Sequence, residues 1–422
     1  VEHWEVVVVG AGAAGLLASI RIAEAGRSVL LLEKNRKPGV KILISGGTRC
    51  NLTHDTDSSG IRDGFDRATG RFLQPALGGF GPDELVELFR TEGLETKVES
   101  TGKVFPTTDR ALDVLNALLA RLSRSGCELA LDEPVDSLQQ SLGGIIVTTP
   151  KRAIHADRVV VTTGGKSFPG CGTTGDGWRW ARDLGHTIVP TFPALVPLET
   201  SSEWVKRLQG VTLPDVGMAV TDLPTGTTKK QKALLATRNS LLFTHFGLSG
   251  PGAMDLSRVI TPQLGISHHF VQCDFLPDES PEQFEQWLES ECRSAGSRAI
   301  LSLLASRVPR RLAESFLETC GIPQERWGAE LSRVGRLDVA RCVKRNVIPI
   351  TGTLGFKKAE VTRGGIALPE VDPRTMQSRL ADNIYFAGEV LDVDGRIGGY
   401  NFQAAFSTGW LAGSHAANHG RD

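Results

Sequence analysis

The chain has 422 residues, of which 40% are hydrophobic and 23% charged, with a formal net charge of -1. That length exceeds what one hydrophobic core usually serves, so two domains are expected, and the near-zero charge excludes a global field for gathering nucleic acid or a membrane surface. Seven scattered cysteines, none spaced C-x-x-C, argue against a disulfide framework, a zinc knuckle or other metal centre, and a redox dithiol.

Glu2, His3 and Glu5 precede the first apolar run and give no basic region of a secretory signal, and no apolar run reaches transmembrane length. A reducing cytoplasm is the expected location. The valines at 6–9 predict a buried strand, and Gly10-Ala11-Gly12-Ala13-Ala14-Gly15 follows at once, ahead of a helix-patterned stretch closed by Gly26. Strand, glycine turn and helix make a dinucleotide cradle. Gly10 permits the tight turn, Gly12 lets backbone approach a pyrophosphate, and Gly15 lets the helix pack closely on the strand. A second apolar run at 29–32 ends at Glu33, whose carboxylate can accept ribose hydroxyls and would repel the 2′-phosphate of NADP.

Residues 34–53, polar and glycine-rich, read as a long loop lining the site. Helical periodicity returns at 82–91, with Pro82 in a first turn, and at 109–125, where Leu112, Leu115, Leu119 and Leu122 share a face. Strand-like runs at 127–131, 134–139, 145–149 and 157–162 suggest a meander over a Rossmann-like sheet, the last ending in the small-residue turn Thr163-Gly164-Gly165. A second glycine pattern, Gly170-Cys171-Gly172-Thr173-Thr174-Gly175, follows Pro169 rather than a strand and is not read as a second nucleotide site; with Asp176-Gly177 it resembles the Thr-Gly-Asp-Gly turn of fumarate-reductase-like flavoproteins, which starts a helix near the flavin, and Thr174 or Asp176 as a plain helix cap is the alternative.

The texture changes near 190: prolines punctuate β-like segments to about 280, and amphipathic helices follow from 281 to 345. Residues 190–345 therefore read as an insertion, substrate-facing and β-rich in its first part, and 1–189 with 346–422 as one discontinuous α/β domain. At the far end, Ile384-Tyr385-Phe386-Ala387-Gly388-Glu389 repeats the pattern of strand, glycine and acid. Gly398 and Gly399 open a helix whose positive end can stabilise negative charge. A nicotinamide enzyme with one cradle needs nothing there. FAD does, because so long a molecule draws ribityl and ring contacts from later segments, so FAD is the expected cofactor.

The blocks Leu32-Glu33-Lys34-Asn35, Lys41-Ile42-Leu43-Ile44-Ser45-Gly46-Gly47, Arg49-Cys50-Asn51-Leu52-Thr53, Pro193-Ala194-Leu195-Val196-Pro197-Leu198, Phe243-Thr244-His245-Phe246-Gly247-Leu248-Ser249-Gly250-Pro251 and 386–409 resemble the BaiN/RdsA-type (YhiN-like) flavoprotein oxidoreductases. The resemblance spans nearly the full length. It implies an FAD domain built from both chain ends and interrupted by an insert with β-barrel-like and helical parts, with Gly10, Gly12, Ala14, Gly15, Glu33 and Lys34 on the adenosine and pyrophosphate, Val135 beside the adenine and Gly164 nearby. Lys41, Ser45, Gly46, Gly47, Arg49, Cys50 and Asn51 would follow the cofactor toward its ring, and Glu389, Gly399, Tyr400, Asn401 and Gln403 would hold the ribityl chain and ring. The chain departs from the family pattern at Val40, commonly arginine, at Thr48, usually glycine, and at Ile397, usually small and polar.

His245 is a candidate acid or base, with a buried structural histidine as the alternative, and Arg396 a candidate for a substrate carboxylate. Arg49 could serve a carboxylate or an FAD phosphate. Cys50, without a partner cysteine, reads as a packing residue. Lys229, Lys230 and Lys232 with Arg238 read as a solvated hairpin rather than an RNA surface. The expected activity is FAD-dependent hydride transfer between the flavin N5 and a small organic substrate or NAD(P)H. A flavin-dependent RNA-modifying protein and a non-catalytic flavin redox sensor are the alternatives.

Overall fold

The computed structural model describes residues 2–221, 233–294 and 296–418. The lysines at 229–232 lie outside the described residues. The chain divides into two compact units, Val1–Phe192 with Glu360–Asp422, and Pro193–Ala359.

The first unit is built on a mainly parallel sheet. Its strands are β1 (Glu2–Val9), β2 (Val29–Leu32), β3 (Glu128–Ala130), β4 (Ser137–Ser141), β5 (Gly144–Thr148), β6 (Ala153–Val161) and β7 (Ile384–Phe386). The order is β3-β2-β1-β6-β5-β4, and β7 runs parallel to residues 159–161 of β6. Register Val6↔Val29 to Val9↔Leu32 joins two wholly apolar stretches, as expected where a parallel sheet is covered on both faces. Of the four runs anticipated as a meander, three form it, β4, β5 and β6 pairing antiparallel in turn, whereas β3 pairs parallel with β2 on the other side of the sheet.

Helix α1 (Ala13–Glu24) follows the glycine turn, and α2 (Val40–Thr48) and α3 (Ala111–Ser125) come before β3. Helix α4 (Asp176–Asp183) follows β6, and α5 (Tyr400–Asn418) ends the described chain. The expected loop at 34–53 thus contains a helical stretch, because Ile42 is buried and anchors a turn that begins after left-handed Gly39. Two short helices escaped the periodicity: Ser58–Arg62 and Arg67–Gly79 are capped by Asp57 and Asp66, and the second contains Pro75.

Small residues bring the chain ends together. On α5, Gly409 and Gly413 sit one turn apart and face Ala14 and Ala18 of α1. A Cβ at Gly409 would stand 2.3 Å from the Ala14 carbonyl oxygen, and one at Gly413 would stand 2.6 Å from that of Ala18.

The second unit is an antiparallel sheet ordered Asn346–Ile350, His269–Asp274, Thr212–Thr221, Leu235–Phe243, Gly247–Ser249, Leu198–Glu199 and Gly352–Thr353. The first and last of these are separated in sequence only by Thr351, so one stretch of chain pairs with both ends of the order and closes the sheet as a barrel. Residues 346–359, assigned from sequence to the cofactor domain, belong here for that reason. Phe243, Phe275 and Phe316 pack the core beneath the helices Pro281–Ser294, Arg310–Thr319 and Arg333–Lys344.

Gly409→Ala is expected to cost about 1–3 kcal/mol, read as a lower Tm, because helix backbones must separate to admit the methyl group. Gly78→Ala, at an exposed helical position whose Cβ would meet nothing within 4 Å, is expected to be neutral or to stabilise by up to about 1 kcal/mol.

Candidate functional site

The carboxyl ends of β1, β2, β6 and β7 share one edge of the sheet, where open α/β folds bind ligands. At the end of β1, a Cβ on Gly10 would stand 2.8 Å from the Thr162 carbonyl oxygen, and one on Gly15 1.9 Å from that of Gly10, so close packing requires both glycines. Gly12 differs: the space over it is open, and it caps α1 without a side chain. The first-turn N-H groups have no intrahelical partner, and no acid lies in that turn. An adenosine diphosphate fits this opening, its pyrophosphate on the positive helix end.

Glu33, 7% exposed, is held in place by backbone: Oε2 accepts from Ala11 N-H at 2.8 Å and Oε1 from Asn35 N-H at 2.9 Å. A carboxylate has about four acceptor positions, so each oxygen keeps one for a ribose hydroxyl. The N-H groups of Asp132 and Glu133 donate to the carbonyls of Asn35 and Glu33, which carries the following Val135 to the same edge. Lys34 does not point freely at a pyrophosphate. Its Nζ donates to Asp176 Oδ2 at 2.5 Å and to Thr174 Oγ1 at 2.7 Å, so the second glycine pattern serves as its anchor. Neither Thr174 nor Asp176 caps α4, whose N-cap is left-handed Gly175.

A second polar group gathers at the end of β7. Glu389 Oε1 accepts from Ser167 Oγ and from Thr362 N-H, each at 2.8 Å, and Oε2 accepts from Lys41 Nζ at 2.6 Å. Lys41 also donates to Ser167 Oγ at 2.7 Å. The set leaves acceptor capacity on Glu389 and one N-H on Lys41 for a polyhydroxyl chain. Gly164, left-handed at φ 72°, turns the backbone between β6 and Ser167. Sequence reasoning missed Ser167 and Thr362, since nothing in a strand-and-glycine texture marks which hydroxyl meets a distant acid.

The turn after α2 is strained. Ser45 leaves helical geometry, and Gly46, Gly47, Thr48 and Cys50 are left-handed at φ 54°, 67°, 68° and 61°. Asn51 fastens this turn to the chain's far end: its amide accepts from Gly399 N-H at 2.9 Å and donates to the Thr53 and Val104 carbonyls. Tyr400 opens α5 and stacks on His54, ring centroids 5.1 Å apart, a contact the sequence did not suggest. Asn401 closes the preceding loop, accepting from Gly395 N-H at 2.7 Å and donating to the Gly395 carbonyl.

Several assigned residues are committed elsewhere. Cys50 is fully enclosed and burial pushes its thiol up to about 12, which makes it packing and leaves no surface for a cofactor. Gln403 is also fully enclosed, its amide donating to the Phe80 carbonyl and Ser407 Oγ. Arg49 lies 4.0 Å from the Phe105 ring centroid and donates to Glu99 at 2.6 Å, a bond that raises its pKa and leaves its charge already paired. His245 is exposed in the turn joining Leu235–Phe243 to Gly247–Ser249, edge-on to Phe246, so the buried alternative fails. Arg396 is exposed over the Tyr400 ring at 4.9 Å, with no carboxylate in ion-pair contact among the described residues. The one group of metal-ligand character among the described residues, His3, His155 and Asp157, lies at the opposite end of β1 and β6.

Lys41→Met and Glu389→Gln are each expected to weaken FAD retention about 10- to 100-fold, with the double variant no worse than the singles, measured by flavin titration. Thr48→Gly removes a left-handed side chain and is expected to stabilise by about 0.5–1 kcal/mol in thermal melts, with FAD affinity retained.

Residues 4–415 match the HI0933-like protein Rossmann domain family. The 3-dehydro-bile acid delta(4,6)-reductase of Clostridium scindens is 32% identical over 413 residues, covering 97% of this chain and 98% of that protein. Ribosomal RNA dihydrouridine synthase of Escherichia coli K12 is 32% identical over 412 residues, 97% of each chain. The structure of 3-ketosteroid delta1-dehydrogenase from Sterolibacterium denitrificans shares the fold, with a TM-score of 0.51 at 15% identity over 99% of this chain and 100% of that one. With a cradle that accepts adenosine diphosphate and a family match across nearly its whole length, the chain belongs to the HI0933-like Rossmann-domain family and is a flavin-dependent oxidoreductase.

Proposed function

We propose that the chain reduces a carbon-carbon double bond conjugated with a carbonyl in a small organic substrate, using NAD(P)H as transient electron donor. The observation that carries this reading is the full-length likeness to a reductase named for the ring double bonds of a 3-keto bile acid. The relative named for making dihydrouridine also saturates a ring double bond beside a carbonyl. FAD would supply the hydride at its N5.

The chain's own residues bind and orient. The first turn of α1 and Glu33 would hold the adenosine end, Lys41, Ser167 and Glu389 the ribityl chain, and residues 45–47 with the start of α5 the ring. No acid lies in the first turn of α5, so negative charge gathered at that end is stabilised by the helix. Arg396 would take an anionic group of the substrate, and His245 is the proton-transfer candidate. A cytoplasmic setting suits seven free thiols. Among the described residues no helix is long and apolar enough to cross a membrane.

RNA is the second reading, favoured by the dihydrouridine synthase relatives. The near-neutral charge weighs against it, as does Arg238, which is paired with Asp215 at 2.5 Å and with Asp278.

The protein reconstituted with FAD is expected to bleach anaerobically with NADH or NADPH and to regain its colour on adding a steroid 4,6-dien-3-one. Recovery with ribosomal RNA alone would move the assignment to RNA, and a flavin that neither nicotinamide bleaches would overturn the donor. Glu33→Ala is expected to raise the FAD Kd about 10- to 100-fold. His245→Ala is expected to keep FAD and lower kcat about 100-fold or more. Arg396→Ala should raise KM for an acidic substrate with kcat little changed.

A further inference from the structure

Folding brings together two cysteines that the sequence keeps apart. Cys320 follows the helix Arg310–Thr319 as its C-cap, and Cys342 lies in the last turn of Arg333–Lys344. Their sulfurs stand 3.5 Å apart although 22 positions separate them in sequence. Both are half-buried, shielded by apolar neighbours yet open to a small reagent, whereas Cys50, Cys171, Cys273 and Cys292 are buried.

We propose that Cys320 and Cys342 form a redox-responsive dithiol that closes reversibly to a disulfide and staples these two helices of the second unit. The sulfurs are about 1.5 Å farther apart than a bonded pair, a gap that side-chain rotation can close. The two thiols share one hydrogen bond in which either sulfur can be the donor, so either can begin the attack and the other resolves it. Cys127, the other half-buried thiol, is pushed up to about 12 by burial and is the internal control.

Hydrogen peroxide is the class of oxidant. The thiolate of one of the two cysteines attacks one peroxide oxygen, the O-O bond breaks, and the departing hydroxide takes a proton to leave as water, which gives a sulfenic acid on that cysteine. The sulfur of the other then gives up its proton and attacks the sulfenic sulfur. The S-S bond forms as the S-O bond breaks, and a second water leaves. Two thiols have lost two electrons and two protons, which the peroxide has gained. A reducing dithiol reverses the closure by exchange.

The test uses the FAD-loaded full chain, treated with one equivalent of hydrogen peroxide under native conditions, alkylated, digested and analysed by mass spectrometry. The expected result is a cross-linked peptide pair containing Cys320 and Cys342, lost on adding dithiothreitol, and forming about tenfold or more faster than Cys127 is oxidised. Cys320→Ser and Cys342→Ser should each abolish the cross-linked pair, and dimedone should trap the sulfenic acid left on the remaining thiol. In the unmutated protein, oxidation should raise the melting temperature. Oxidation of Cys127 with the pair left reduced, or a disulfide between two copies of the chain, would overturn the proposal.

Discussion

The close contact between α1 and α5 is the constraint on which the cofactor domain depends. The N-terminus of α1 forms the cradle, while α5 begins at the glycines that we propose receive the far end of the cofactor, so both ends must be held in one frame. Gly409 and Gly413 over Ala14 and Ala18 do this by bringing helix backbones together with no side chain between them. The Asn51 bridge to Gly399 adds a second tie, from the turn after α2 to the residue before α5. A chain interrupted by a whole second unit thus recovers one continuous binding edge.

Along that edge the charges are arranged before any ligand arrives. Glu33 is fixed by two backbone N-H groups rather than by a cation, so its negative charge stays available to hydroxyl donors. Glu389 is matched instead by Lys41, with Ser167 bridging them, so its carboxylate can orient hydroxyls without adding net charge near the ring. The two acids share a position at strand ends and differ in function because their partners differ. Arg49 and Lys34, which look in sequence like phosphate ligands, are neutralised locally by Glu99 and Asp176.

Much of the architecture was legible because it rests on local rules. Apolar strands, the spacing of Gly10, Gly12 and Gly15, and an acid after the second strand announce a cradle whatever surrounds them. The barrel closure was not legible. Residues 346–350 and 352–353 read as strand in either domain, and only their pairing with His269–Asp274 and Leu198–Glu199 assigns them. The enclosure of Cys50 and Gln403 was equally hidden, since a motif records residue order and not which side chains the fold walls off.

The sequence by itself determined an α/β chain with a glycine cradle followed by a strand-end acid and a second glycine-acid strand end near the other terminus, because steric demands on glycine and the chemistry of a strand-end carboxylate are written in adjacent residues. Tertiary structure alone decided which polar groups remain free. Ser167 and Thr362 reach Glu389, Glu99 claims Arg49, and Cys320 meets Cys342 through pairings across 22 to 222 positions. Such partners are set by how helices and strands pack in space, and spacing along the chain carries no record of it.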